Sequence, residues 1–421
     1  VIITFIKGTN IRKENIEELR GYMLKFEEAK KIILNNANLG LQETSVELKN
    51  SIGMVLSRDI YSNRNFPDLY KSAVDGLAVK GENLTEYKIV NTYTIVDSVD
   101  ITLGDGEAVF VMTGGVVPKN ADAVLRIEDC EVLANKIRFN KAFKKKENIN
   151  EVGEEAAKGE VIAKANTQIN EILFSVLAYA GVSKIDVFEK PKVAFFTTGD
   201  EILEIGSKYK PGYIYNTNRY IFETVVHRLG VDAYFYGNIK DNEEEISNTL
   251  KKLSKNYDII ATSGGISMGK YDFVKKILNK QNYEIIVNKT SIKPGSPLMV
   301  AKSETSVIFG LPGYPSAFLT NFFLYFIPYL KKAMKREDFD HKFVKGVLKS
   351  KMHSKKSADY FNRAVVKVED GNFSVYSPNS QKTSHFLNFA HCSGLFRLKE
   401  GVGDVEEGFS GELLLFDLEL S

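Results

Sequence analysis

The chain has 421 residues, too many for one ordinary hydrophobic core, so two to four domains are expected. Its 56 Lys and Arg nearly cancel its 54 Asp and Glu, and a net charge of +2 gives no global field toward nucleic acid, so any anion site must be local. The 43% hydrophobic and 26% charged contents fit a globular chain, and no stretch reaches the roughly 18 uncharged apolar residues of a membrane span. Cys130 and Cys392 match no metal-ligand spacing, and VIITFIKGTN lacks the pattern of a secretory leader. The expectation is a cytoplasmic protein with neither nucleic-acid nor membrane partners.

In chain order, Ile16, Leu19, Met23, Phe26, Ala29, Ile32 and Ile33 recur at helical spacing from Asn15 to Asn36, and a second helix is expected at Ser45 to Ile52. Between about Ser57 and Glu151 the pattern turns to short β-branched or aromatic runs (YKIVNTYTIV, EAVFVM, DAVLRIE, KIRFN) separated by Gly, Asn and Asp, as in an inserted all-β domain. The mixed-charge stretch 141–160 reads as its solvated exit. Helical spacing returns at Asn170 to Ala180, with Gly181 placed for a left-handed C-cap. From Pro191 to about Lys335 strands alternate with helices, which predicts a parallel, helix-covered sheet. Within it AFLTNFFLYFIPYL (317–330) reads as a buried amphipathic helix, and after Glu337 the β periodicity predicts a small barrel. The expected domains are a discontinuous helical domain (15–57 and 152–186), an inserted β domain (58–151), an α/β domain (187–336) and a C-terminal β-barrel (337–421).

Ligands of open α/β sheets bind beyond the carboxyl ends of the strands, and three such ends are unusually polar: TTGDE (197–201), KD (240–241) and TSGGIS (262–267). Paired glycines let backbone approach a ligand closely, although taken alone Gly264 and Gly265 are more simply explained as a tight turn without a ligand. Asp200, Glu201, Asp241 and Asp272 all follow predicted strands of this sheet. Carboxylates gathered near an anion loop repel one another unless a cation neutralises them, and Mg²⁺ on one or two carboxylates plus phosphate is the usual solution. Singly, Asp241 and Asp272 are each placed to cap the next helix. Lys289 and Lys293 share one side of a segment read as extended, which invites an anion, while solvated surface lysines are the plain alternative. Ser316 stands near a helix N-terminus, as a cap or as an oxyanion contact. Asp75 and Thr113 lie in ordinary turn sequences, and Arg363, Ser384, His385 and His391 form neither a metal site nor a nucleophile triad.

Taken together, SAVDGLAV, MTGG, TTGDEI, NTNR, TSGGIS with GKYDF, SIKPG and GLPGYP resemble, in order and spacing, the motifs of the MoeA family, the molybdopterin molybdenumtransferases that include the gephyrin E domain. The likeness runs from about Phe26 to Asp417. It implies a multidomain α/β plus β protein: an elongated four-domain homodimer with a MogA-like parallel α/β domain, an inserted β domain and a C-terminal β-barrel. The α/β domain of one subunit would face the inserted domain of the other. The implied activity inserts molybdate into adenylylated molybdopterin, with Mg²⁺ as cofactor and release of AMP, and the molybdopterin adenylyltransferase is an implied partner.

Carried over by motif, Asp75, Thr113, Glu201, Asp241, Lys289 and Lys293 form the implied catalytic set. Asn218, Ser263, Gly264, Gly265, Ser267, Pro312, Gly313, Ser316, Arg363 and Ser384 would line the substrate site. Asp272 and Glu201 would hold Mg²⁺ against the phosphates, and Lys293 with Ser267 and Ser316 would hold molybdate. An oxygen of molybdate attacking phosphorus would couple anhydride cleavage to metal insertion. The chain departs from the family pattern at Ser296, where a lysine is usual, at Tyr314 for Asn, and at Val74 and Leu77 for Met and Tyr. One cation fewer at an oxyanion site puts the preference between molybdate and tungstate in question. The competing reading is a gephyrin-like scaffold that binds peptides, which has no need of the acidic set.

Overall fold

The computed structural model describes residues 23–82, 84–92, 101–265, 273–281 and 283–416. Its contacts group the chain into two units: one holds residues up to Ser57, Asn166–Asn170 and Asp186 onward, the other Arg58–Ala165 and Glu171–Ile185. Residues 152–165 and 171–185, assigned to a helical domain from the sequence, thus cluster with the β-rich segment.

In the β-rich unit a six-stranded sheet runs in the order Ala123–Arg126, Gly76–Val79, Glu107–Val111, Glu86–Thr92, Lys136–Arg138, Glu131–Leu133. Strand Gly76–Val79 is buried throughout, because successive side chains enter different cores. Leu77 and Val79 pack with Tyr87, Leu125 and Ile137, while Ala78 packs with Val109, Val111 and Val124. The expected helix is present as Glu171–Tyr179, and Gly181 follows at φ +76°, where a side chain would be strained.

The other unit opens with helix Phe26–Asn35; the part of the expected first helix before Met23 lies outside the described residues. The second expected helix is absent. Residues Glu43–Glu47 form a strand, followed by a single 3₁₀ turn at Leu48–Asn50. Thr44, Val46 and Leu48 point inward at a period of two, and this alternation outweighs the weak helical spacing.

The α/β sheet has the order Ala233–Ile239, Val193–Thr198, Ile259–Ser263, Val307–Leu311, Met299–Lys302, Glu284–Asn288. Its first four strands are parallel, and Met299–Lys302 runs antiparallel between Val307–Leu311 and Glu284–Asn288. The sheet is therefore mixed, since the tight turn at 303–306 permits only a hairpin there. Strand Val193–Thr198 is buried along its whole length, and Phe195 stacks on Phe222 of helix Thr217–Arg228 with ring centroids 4.3 Å apart.

Residues 315–333 are helical but not amphipathic. Helix Pro315–Asn321 passes through a π turn, Phe322–Phe326, into helix Ile327–Ala333, and Phe318, Phe322, Phe326 and Tyr329 are all buried in one core. Burial on every face removes the polar side that the sequence reading expected. The C-terminal strands close into a five-stranded barrel: Asp359–Glu369, Asn372–Tyr376, Val344–Leu348, Ser410–Leu415, Gly394–Leu398 and back to Asp359–Glu369. Strand Ile292–Lys293 adds to it in parallel beside Asp359 and Tyr360, which sets the SIKPG segment against the barrel. Charge pairs around the buried Arg397 also tie the barrel to the first helix, with Arg397 bonded to Asp359, to Glu412 and to the exposed Glu27. No described helix is long and apolar enough to cross a membrane.

Candidate functional site

The strand ends of the α/β sheet meet at Thr198, Ser263, Gly264 and Gly313. Gly264 (φ +99°) and Gly265 (φ +69°) both take backbone conformations that disfavour side chains. A Cβ on Gly264 would lie 2.6 Å from Thr198 Oγ1 and 2.9 Å from the Thr198 carbonyl oxygen, and one on Gly313 would lie 3.5 Å from the Gly264 Cα. The paired glycines thus let neighbouring strand ends close on one another. The Gly264 N–H donates to Leu311 O at 3.1 Å, so this donor is used within the sheet instead of facing a ligand.

Asn218, on helix Thr217–Arg228, braces the turn: its Nδ2 donates to Ser263 Oγ (2.6 Å) and to the Gly313 carbonyl (2.8 Å). Ser263 Oγ in turn approaches the Pro312 carbonyl at 3.3 Å. These residues, predicted from separate motifs, come together. Among the described residues, Asn218 Oδ1 and Thr198 Oγ1 are buried without a well-formed hydrogen bond, and unpartnered buried polar atoms of this kind call for a water, an ion or a ligand.

The carboxylates lie at the same edge. Glu201 and Asp200 are exposed in the turn after Val193–Thr198, while Asp241 is half-buried after Ala233–Ile239. The helix-cap explanation for Asp241 fails, because Asn242 is the cap and its Oδ1 accepts from the N–H groups of Glu244 and Glu245. Burial pushes the Asp241 carboxyl above the ordinary aspartate range, the nearby Thr198 hydroxyl offsets part of this, and Glu201 and Asp200 add to it by repulsion. Ser267 and Asp272 lie outside the described residues.

Three residues after Gly313, the first turn of helix Pro315–Asn321 brings Ser316 to a cavity of about 190 Å³, lined by Lys293, Ser316, Thr320, His353, Asn362 and Arg363 together with neighbouring residues. Drug-sized ligands occupy pockets of roughly 300–1,000 Å³, so this one suits a small ion or one end of a larger molecule. Lys293 is exposed in strand Ile292–Lys293. Lys289 is half-buried at φ +71°, so the extended segment expected to put both lysines on one side is not formed. Gly295 (φ +104°) fastens the turn, its carbonyl accepting from Asn321 Nδ2 at 2.8 Å; a Cβ there would meet that nitrogen at 2.3 Å. Ser296 Oγ donates to the Thr290 carbonyl at 2.7 Å and closes the same loop, while Tyr314 is 57% exposed.

Ser316 is neither a cap nor a free contact: it is buried, and its hydroxyl donates to the Thr383 carbonyl at 2.7 Å. Arg363 lies in the wall of the same cavity. Its guanidinium is buried and donates to the carbonyls of Ser380 (3.0 Å), Lys382 (2.8 Å) and His385, and its charge is disfavoured by burial. Its donors hold the loop that presents Ser384, which is exposed. The sequence reading missed Thr198, Thr320 and Asn362. Asn362 is buried in the cavity wall with its Nδ2 unpartnered. Only Thr198 had a signal, as the last residue of a strand ahead of Gly-Asp.

In the β-rich unit, Asp75 and Thr113 form a compact exposed turn. Asp75 Oδ1 accepts from Thr113 N (2.7 Å) and Thr113 Oγ1 (3.0 Å), and these bonds, the backbone one foremost, hold the carboxyl below its usual range. Leu77 and Val74, two departures from the family pattern, pack into cores beside it.

Residues 24–181 match the MoeA N-terminal region (domain I and II), and residues 194–332 match a probable molybdopterin binding domain. The molybdopterin molybdenumtransferase of Staphylococcus aureus (strain Mu50 / ATCC 700699) is 29% identical over 388 residues, covering 90% of this chain and 93% of the relative. That of Staphylococcus epidermidis (strain ATCC 12228 / FDA PCI 1200) is 28% identical over 383 residues, covering 89% and 91%. A crystal structure of the molybdopterin biosynthesis MoeA protein from Pyrococcus horikoshii superposes with a TM-score of 0.76 at 27% identity, over 94% of this chain and 100% of that one. The order of domains, the strand-end glycine turn and these matches agree: the chain belongs to the MoeA family.

Proposed function

We propose that the protein is a molybdopterin molybdenumtransferase that takes adenylylated molybdopterin and molybdate and releases AMP. The observation that carries this reading is the short path from Gly313, at the carboxylate-flanked strand ends, to Ser316 in the Lys293 cavity. A phosphoanhydride and an oxyanion have to meet in the reaction, and these are neighbouring places suited to each. Lys293 would hold the oxyanion by charge, with Asn362 offering its unpartnered amide from the wall. Thr198, Ser263 and Asn218 would orient the phosphate end, and Arg363 would act indirectly by fixing the loop that carries Ser384.

Among the described residues no three His, Cys, Asp or Glu side chains gather as a metal cage. Mg²⁺ needs only one or two carboxylates when phosphate completes its shell, and the crowding that raises Asp241 is what a cation would relieve, so the residues present fit the ion. Glu201 and Asp272 would hold it, and when bound it would offset the phosphate charge.

A homodimer belongs to the same proposal. Ile172 (73% exposed), Val176 and Tyr179 make an uncovered apolar stripe along helix Glu171–Tyr179. The test is AMP release from adenylylated molybdopterin with Mg²⁺, titrating molybdate and tungstate in parallel. Release that depends on either oxyanion supports the reading and names the metal; no release with both would refute it.

A further inference from the structure

Asn321 ends helix Pro315–Asn321, and its neighbours Phe318, Phe322 and Phe326 fill an apolar core. An amide with no exposed surface is costly in such a place unless its hydrogens are used, and both are. Nδ2 donates to the Ala317 carbonyl one turn back (2.9 Å) and to the Gly295 carbonyl (2.8 Å), 26 residues away in the turn that follows Lys293. Two carbonyl oxygens can be met only by the NH₂ end of the side chain, which leaves Oδ1 buried without a well-formed hydrogen bond among the described residues. The fit is as close from the other side. Gly295 stands at φ +104°, and a Cβ there would lie 2.3 Å from Asn321 Nδ2 and 3.2 Å from the Ala317 carbonyl oxygen. Ser296 Oγ donates to the Thr290 carbonyl (2.7 Å) and the Thr290 N–H to the Ser296 carbonyl (3.0 Å), bonds that close the turn on itself, whereas Asn321 fastens it to the helix.

The cavity lies between these two pieces: Lys293 and Pro294 line it from the turn, Ser316 and Thr320 from the helix. We propose that Asn321 is a positioning residue for the oxyanion, tying Gly295 to helix Pro315–Asn321 and so fixing the wall that carries Lys293 against the wall that carries Ser316. This deepens the function proposed above and rests on an oxyanion binding in that cavity. Asn321 is not itself one of the lining residues, so it acts through the turn. A neutral hydrogen bond that holds a binding group in place is worth up to about tenfold in affinity.

The test is AMP release by the full-length protein from adenylylated molybdopterin with Mg²⁺ and molybdate, with melting temperatures measured in parallel. Asn321→Leu keeps the volume and removes the bond, and Gly295→Ala breaks it from the side of the turn. Both are expected to raise the KM for molybdate about tenfold, with kcat at saturating molybdate and the KM for adenylylated molybdopterin unchanged. Leu250→Ala, in the separate core of Ala194 and Phe196, should lower the melting temperature and leave all three constants at their wild-type values. A wild-type KM for molybdate in N321L and G295A while K293A raises it, or an equal rise in L250A, would overturn this inference and leave the proposed function standing. A wild-type KM in K293A would take the oxyanion out of this cavity and overturn the inference together with the role given to Lys293. No release by wild type with molybdate or tungstate would overturn both the inference and the function.

Discussion

Asp75 and Asp241 are both aspartates near a Thr/Ser-Gly-Gly turn, and their surroundings drive them in opposite directions. Asp75 is exposed, with two hydrogen bonds from Thr113 that favour its charged form. Asp241 is half-buried and faces Glu201 and Asp200, so its charge is disfavoured until something neutralises it. The glycines differ in the same way. A Cβ on Gly264 would strike the strand that carries Thr198, whereas one on Gly114 (φ +76°) would meet nothing within 4 Å. The first turn is built into a sheet and holds stored repulsion, while the second is a self-satisfied surface turn. A cation or a phosphate has more to change at the first.

The comparison can be broken most readily at the glycines. Gly264→Ala should destabilise its unit by about 2–4 kcal/mol, combining a left-handed backbone with a clash against Thr198, whereas Gly114→Ala should cost only about 1 kcal/mol, from backbone strain alone. Urea unfolding of the two variants checks this, and equal costs would erase the distinction. Next, Asp241→Asn should lower AMP release by about 100-fold, as for loss of one charge-stabilising group, yet leave thermal stability at neutral pH unchanged or higher. A matching loss of stability would mean that Asp241 is a structural residue.

The smallest effect lies in the titrations. Asp75, with its lowered value, contributes stability that is complete above the usual aspartate range and is lost as pH falls through that lowered value. For Asp241 the sign reverses: its contribution is complete below the usual range and is lost as pH rises through its raised value. Carboxyl NMR titration should place the two on opposite sides of the ordinary aspartate value, and Thr113→Ala should move Asp75 part of the way back, since the backbone bond remains. Mg²⁺ should shift Asp241 and leave Asp75 in place.

The α/β alternation was legible because short, wholly apolar runs such as VAFF are followed by stretches of helical period such as NEEEISNTLKKL, with a clear stop at Gly230 after helix Thr217–Arg228. The stretch around Ser45 misled because Thr44, Val46 and Leu48 satisfy a period of two that competes with helical spacing. Local chemistry also hid the true cap, since Asp241 and Asn242 are adjacent and only backbone geometry decides which accepts the N–H groups. The site was legible where one motif supplied both position and chemistry, as at Ser263 to Gly265. It was not legible for Arg363, whose donors go to carbonyls of a loop about twenty residues away. Such a role depends on how the barrel strands close, which periodicity does not encode.

The proposed reaction requires the oxyanion to bind in the Lys293 cavity beside the strand ends. Anomalous diffraction from crystals soaked in tungstate tests it most directly, since tungsten scatters strongly and has the shape and charge of molybdate as its oxyanion. A leading anomalous peak is expected within the space bounded by Lys293, Ser316, Thr320 and Asn362. A leading peak elsewhere, with that space bare at saturating tungstate, would contradict it.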